Sequence, residues 1–259
     1  MAGLTAKTPS ATYKDLLKVE NSNSGVDDTL RQVESGDGTG SALYIEKNSV
    51  KITPTTDDTA LFDVKNKSGT TKFKVDSTNN LISALGHNVN TQFAYFAIAS
   101  GNHSGFALGT HYLCGFLHAV RTGAAVAIGT GTNPDTSLTI ASTADDLISC
   151  IMYLPNDITV ENVDWLFGAD ASTGDTARAH LMSYSIDTDN GSTGGDLSSG
   201  VVVADGTDIT NAGYEQIYYQ SMTIQNANVD SGKILGFAFR SDTVNSDYSI
   251  HATVKYHLR

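Results

Sequence analysis

The chain is short of charge, and of positive charge above all. Charged residues make up 17% of its 259 residues, only 16 are Lys or Arg, and the net charge is −12. That balance rules against a nucleic-acid binder, which must neutralise phosphates, and against an anionic membrane surface as partner. No stretch reaches the ~18 consecutive apolar residues of a membrane span, so no membrane insertion is expected. Met1 to Pro9 hold no apolar run of the kind a signal peptide carries, and synthesis in the cytoplasm is the expectation. There are only 2 cysteines. Cys114 and Cys150 sit in apolar runs and read as buried free thiols rather than as a disulfide framework.

What the chain has instead is Thr (30), Ser (25) and Gly (24). This mixture favours short strands and many turns, and predicts an all-β fold. Charge splits the chain in two. Residues 1–90 hold 10 basic and 11 acidic side chains, and residues 91–259 hold 6 and 17. Nine of the 11 tyrosines and Trp165 lie in the second part. A boundary is expected near residues 85–92, with three regions: a segment over 1–40, a thin β shaft-like region over 41–90 and a β domain over 91–259.

Pro9, Ser10 and Thr12 offer a helix start, with Tyr13, Leu16, Leu17 and Val19 on one face of two turns. So short a helix needs a partner surface. Glu20 to Gly40 is polar and reads as loop. Phe62-Asp63-Val64 and Phe73-Lys74-Val75 flank the turn Asn66-Lys67-Ser68-Gly69 and read as a hairpin. Phe62, Val64, Phe73 and Val75 then face one way with nothing in the thin region to cover them. Copies of the same ribbon around an axis would cover them, and a homotrimer with these four residues at its seam is predicted, with cover by the C-terminal domain as the alternative.

From residue 91 strand patterns recur every ten to fifteen residues. Ile250, Ala252, Val254, Tyr256 and Leu258 alternate with polar neighbours, and Leu235, Phe237 and Phe239 share a face. Phe237, Phe239, Val254 and Tyr256 are expected inside a two-sheet antiparallel sandwich, best matched by a jelly roll.

The search for chemistry finds little. Among the seven histidines no pair has zinc-site spacing. His251 and His257 share a strand face but are roughly 20 Å apart, and the histidines read as surface or half-buried. Asp187 and Asp189 resemble the start of a calcium loop, but the Gly comes one residue early and the closing Glu is absent; an ordinary turn needs the same residues. Ser104 has His103 as neighbour, on the opposite face of a strand. Ala127 to Asn133 is only superficially a phosphate loop, lacking the Lys-Ser/Thr ending. No catalytic residue, metal site or cofactor is assigned.

The run Leu4 to Pro9 through Tyr13-Lys14-Asp15-Leu16-Leu17, the stretch Ser24 to Leu43 with its Gly36-Asp37-Gly38-Thr39, and the hairpin Leu61 to Asp76 resemble virion fibre-like proteins of tailed bacteriophages. The resemblance covers residues 1–80, about a third of the chain. It implies a non-enzymatic virion protein: a tail fibre, head fibre or capsid decoration protein. It implies docking through Tyr13, Leu16, Leu17 and Val19 on capsid, portal or tail adaptor, and an outward C-terminal domain. Host contact is expected through loops 187–200 and 207–214, with Tyr214, Tyr218 and Tyr219 placed to meet a surface glycan. A capsid decoration protein, a carbohydrate-binding module and a hydrolase on a β-sandwich are the alternatives kept open.

Overall fold

Strands form wherever β-branched and aromatic residues alternate with polar ones, and the fold is all-β. The computed structural model describes residues 16–22, 24–98, 107–116, 126–138, 147–169, 173–187, 196–213, 215–242 and 248–259. The chain divides into two compact units between Val89 and Asn90.

In the N-terminal unit β1 (Leu17–Val19), β2 (Arg31–Ser35), β3 (Gly40–Ile45) and β4 (Val50–Ile52) pair in order as one antiparallel sheet. β5 (Phe62–Lys65), β6 (Thr71–Asp76), β7 (Leu81–Ala84) and β8 (His87–Asn88) form a second. The helix predicted from Pro9 is not what forms at its C-terminal end. Leu17 to Val19 is a strand, with Leu17 opposite Ser35 and Val19 opposite Val33. A neighbouring strand satisfies this backbone, which a two-turn helix standing alone would satisfy poorly. The predicted loop over Glu20–Gly40 likewise contains β2. Because β2 and β3 pair with Glu34 opposite Gly40, a boundary at residue 40 cuts through a sheet rather than between regions.

The C-terminal unit contains β9 (Thr91–Ile98), β10 (Thr110–Leu113), β11 (Gly115–Phe116), β12 (Val126–Thr130), β13 (Ile151–Tyr153), β14 (Ile158–Ala169), β15 (Thr176–Ile186), β16 (Leu197–Asp205), β17 (Ile209–Thr210), β18 (Gln216–Ser221), β19 (Thr223–Ile224), β20 (Asn228–Val229), β21 (Lys233–Ser241) and β22 (Tyr248–Leu258). They make two antiparallel sheets. An eight-stranded sheet runs β12-β10-β21-β15-β16-β19, with β13 beside β21 and β17 beside β15. A six-stranded sheet runs β11-β9-β22-β14-β18, with β20 beside β14.

The inner faces meet as a sandwich. Phe96, Trp165, Phe167 and Val254 from the six-stranded sheet pack with Leu181, Leu235, Phe237 and Phe239 from the other, all buried. Phe237 lies 6.3 Å from Phe96 and 6.4 Å from Trp165, ring to ring. Phe237, Phe239, Val254 and Tyr256 are inside, as their alternation predicts.

The outer face of the eight-stranded sheet is buried too, under a second cluster that includes Leu113, Ile128, Leu147, Met182, Tyr184 and Ile234. β21 therefore has no wet side, which is why Ile234 to Phe239 is an unbroken apolar run. Cys114 and Cys150 are buried free thiols.

Candidate functional site

Among the described residues, exposed large apolar side chains are denser in the N-terminal unit than in the C-terminal one. Phe62 stands opposite Val75 and Val64 opposite Phe73, and directly opposed residues share a face. The next strand adds Ile82 opposite Val75 and Ala84 opposite Phe73, two residues the sequence reading had not placed there. Phe62 and Phe73 meet edge to face at 6.2 Å, yet Phe62, Val64, Phe73 and Ile82 remain 37–46% exposed. The other face is charged: Lys74 pairs with Asp76 at 3.5 Å.

The first sheet repeats the pattern. Leu17, Val19, Val33, Leu43, Ile45, Val50 and Ile52 fall on one face by register. Lys18 and Glu34, paired at 3.1 Å, fall on the other, with Tyr44 and Lys51. Val33 is the sole buried apolar side chain among the described residues of this unit. Of the predicted anchoring residues, Leu16 and Leu17 are exposed and Val19 is half-buried. Tyr13 lies outside the described residues.

In the C-terminal unit the tyrosines do not form one cluster. Tyr218 and Tyr219 are consecutive on β18 and point to opposite faces. The Tyr218 ring turns inward, stacked on Phe167 at 5.8 Å, and its hydroxyl donates to Asn211 Oδ1 at 3.0 Å. Tyr219 is 65% exposed on the outer face of the six-stranded sheet and donates to Asp164 Oδ1 at 2.9 Å. That bond holds its phenol above the usual pKa. Leu166 stands opposite Tyr219, and His251 opposite Leu166. Exposed Ile217 and Phe93 extend this face. Tyr214 lies outside the described residues.

The loops predicted to be free are in part tied down. Asn211, within the 207–214 loop, is fully buried, and the Thr207 N–H donates to Gln220 Oε1 at 3.0 Å. In the 187–200 connection the Asp187 N–H donates to the Asp196 carbonyl at 2.8 Å; Asp189 is outside the described residues. Among the described residues no three His, Cys, Asp or Glu side chains are placed to hold a metal ion.

Sequence reading also missed a polar layer built around two buried histidines. His111 and His180, expected at or near the surface, are fully buried with ring centroids 5.0 Å apart. Both flank β21: His111 stands opposite Arg240, and His180 opposite Ala238. Arg178 donates to both oxygens of Asp205 at 3.1 and 3.2 Å, and its other terminal nitrogen lies 3.6 Å from Asp208. His180 Nε2 donates to the Thr132 carbonyl at 3.2 Å, and Arg240 Nη1 to the Gly131 carbonyl at 2.6 Å. Neither ring nitrogen of His111 makes a well-formed hydrogen bond. Burial first, then the neighbouring His180 and Arg240, depress His111 to about 3. Burial, partly offset by Asp205, depresses His180 to about 4. No spacing could reveal this pair, since pairing of both strands to β21 brings it together. Its cover is the Gly-rich 127–133 stretch, in which Gly129 serves close packing: a Cβ there would stand 2.4 Å from the Asp135 carboxyl carbon.

No protein-family model and no curated protein matches the chain. Among solved structures it is similar to a CocE/NonD family hydrolase from Staphylococcus aureus (9% identity, TM-score 0.28), covering 68% of this chain and 38% of that one. It is similar to the CBM22-1–GH10 modules of a Clostridium thermocellum endo-1,4-beta-D-xylanase complexed with xylohexaose (12%, 0.22), covering 63% of this chain and 28% of that one. A third likeness is to the T13 IBDV viral particle (9%, 0.17; 75% and 69%). At these TM-scores none of the three carries an argument. The chain spans well under half the length of the hydrolase and of the xylanase.

Proposed function

We propose that the chain is a non-enzymatic structural protein of a bacteriophage virion: a homotrimeric fibre or appendage held to the particle by its N-terminus, with the C-terminal β domain directed outward. The observation that carries this reading is the thinness of the N-terminal unit. In two successive sheets the apolar side chains gather on one face, with Arg31 among them by register, and Val33 is the only buried apolar side chain among the described residues of this unit. A single sheet layer with an uncovered apolar face is marginal in water. Copies of the chain around a three-fold axis turn these faces toward one another and leave the charged faces in solvent.

The strand order supports a jelly-roll-like head. Numbered along the chain, the eight main strands β9, β10, β14, β15, β16, β18, β21 and β22 lie in the orders 1-8-3-6 and 2-7-4-5, the wrapped order of that architecture. The exposed Tyr219 face supports contact with a neutral host-surface glycan, because the acidic head repels polyanions. Capsid decoration is the second reading, favoured by the same exposed face if it seats on a head subunit.

Immunogold electron microscopy on purified particles tests the assignment. Label on tail or head appendages is expected. Label spread evenly over the capsid shell supports decoration, and particles without label overturn the virion reading.

A further inference from the structure

The layer of His111, His180, Arg178, Arg240, Asp205 and Asp208 plays no part in the function proposed above. Its charges balance in a particular way. Arg178 and Arg240 supply two positive charges, and Asp205 and Asp208 two negative ones; Asp208 stands 3.6 Å from Arg178 and 3.8 Å from Arg240. These six side chains sum to zero only while both imidazoles are neutral; Asp208 is half exposed, and Asp135 in the roof adds one further negative charge. His180 Nδ1 is 3.1 Å from Asp205, so one added proton there has a partner. His111 has no carboxylate contact and faces His180, Arg240 and Arg178.

The roof of the layer is backbone. Residues 131–133 are exposed, while the histidines beneath them are not. Besides the His180–Thr132 and Arg240–Gly131 bonds, the Tyr184 hydroxyl donates to the Asp135 carbonyl at 3.0 Å, and the Gly200 N–H to the Thr136 carbonyl at 2.7 Å. Gly200 permits this approach: a Cβ there would lie 2.7 Å from the Tyr184 ring and 2.8 Å from Thr136 Cα. The titratable and charged groups facing the pair are thus Arg178 and Tyr184 from β15, Asp205 at the end of β16, Asp208 just beyond it, Arg240 from β21 and Asp135 from the roof.

We infer that the His111–His180 pair is an acid-sensitive latch, which holds the 129–136 segment over the eight-stranded sheet while both rings are neutral and releases it when they are protonated. The sign follows from linkage. With the segment closed the rings resist protonation, to about 3 and about 4; once lifted into water they return to about 6.5. The closed form is therefore fully favoured above about 6.5 and loses ground as pH falls toward 4. Each histidine shifts the open-to-closed ratio by up to about tenfold per pH unit. At His111 a buried imidazolium would stand beside two guanidinium groups with the Gly129 backbone but no carboxylate to offset its charge, so hydration favours it.

Hydrogen–deuterium exchange on the full chain between pH 7 and 4.5, corrected for intrinsic rate, tests the latch. Peptides spanning 126–138 are expected to lose at least about tenfold protection while peptides from β14 and β22 keep theirs. The doubly neutral variant His111→Gln/His180→Gln is expected to retain protection at pH 4.5. Flat protection of 126–138 in the wild type, or equal acid loss in the variant, overturns the latch. Should the variant fail to fold, imidazole NMR titration of the wild type decides: two rings neutral to below pH 5 support the latch, and normal titration near 6.5 overturns it.

Discussion

Trp165 donates its indole N–H to Gln220 Oε1 at 3.1 Å, and the same oxygen accepts the Thr207 N–H at 3.0 Å. The Gln220 amide returns to Thr207 Oγ1 at 2.6 Å. One side chain of the six-stranded sheet thereby ties the buried tryptophan to the connection leaving β16 of the other sheet. Gln220→Ala strands a buried indole donor and is expected to cost about 1–3 kcal/mol. Urea unfolding followed by Trp165 fluorescence measures it; a loss under about 0.5 kcal/mol would show that the bond contributes little.

Phe239 sits among Trp165, Phe167 and Tyr248, with centroids 6.5, 6.1 and 5.5 Å away. Phe239→Ala leaves a cavity between the sheets and is expected to cost roughly 3–5 kcal/mol. Equilibrium denaturation checks this, and a cost below about 1 kcal/mol would mean the site collapses or the ring lies outside the core.

The purified chain is expected to sediment at about 82 kDa, three copies of 27.4 kDa. Phe73→Asp, placing a charge at the centre of the apolar face, is expected to shift it toward monomer with the C-terminal unit still folded by circular dichroism. A wild-type monomer at micromolar concentration in the ultracentrifuge would remove the basis for the trimer.

If the outer face of the six-stranded sheet receives a glycan, Tyr219→Ala in the full chain should lower binding on a glycan array at least tenfold, about 1.4 kcal/mol. Tyr218→Phe, whose ring faces inward, should leave it unchanged. Loss with Tyr218→Phe and none with Tyr219→Ala would put the contact elsewhere.

The long strands were legible because two-residue alternation is unambiguous over eleven residues, as in β22. The 62–75 hairpin was legible because its turn and both apolar pairs sit within fourteen residues of chain. Leu16, Leu17 and Val19 were not, because three apolar residues at that spacing suit one helical face or one strand equally. β2 was missed because Arg31-Gln32-Val33-Glu34-Ser35 offers a single apolar side chain. Tyr218 and Tyr219 were grouped as neighbours in sequence although a strand sends them to opposite faces. The His111–His180 pair depends on non-local pairing, which no local pattern encodes.

The first strand of the C-terminal unit, β9, pairs with its last, β22, which lies between β9 and β14 in the six-stranded sheet. During synthesis the middle of this sheet stays open until residues 248–258 have cleared the ribosome, so the sheet closes in one late step rather than strand by strand. The same wedge position makes β22 a natural split point: a chain ending before Tyr248 presents two waiting strand edges, and a separate peptide of residues 248–258 is the piece shaped to close them.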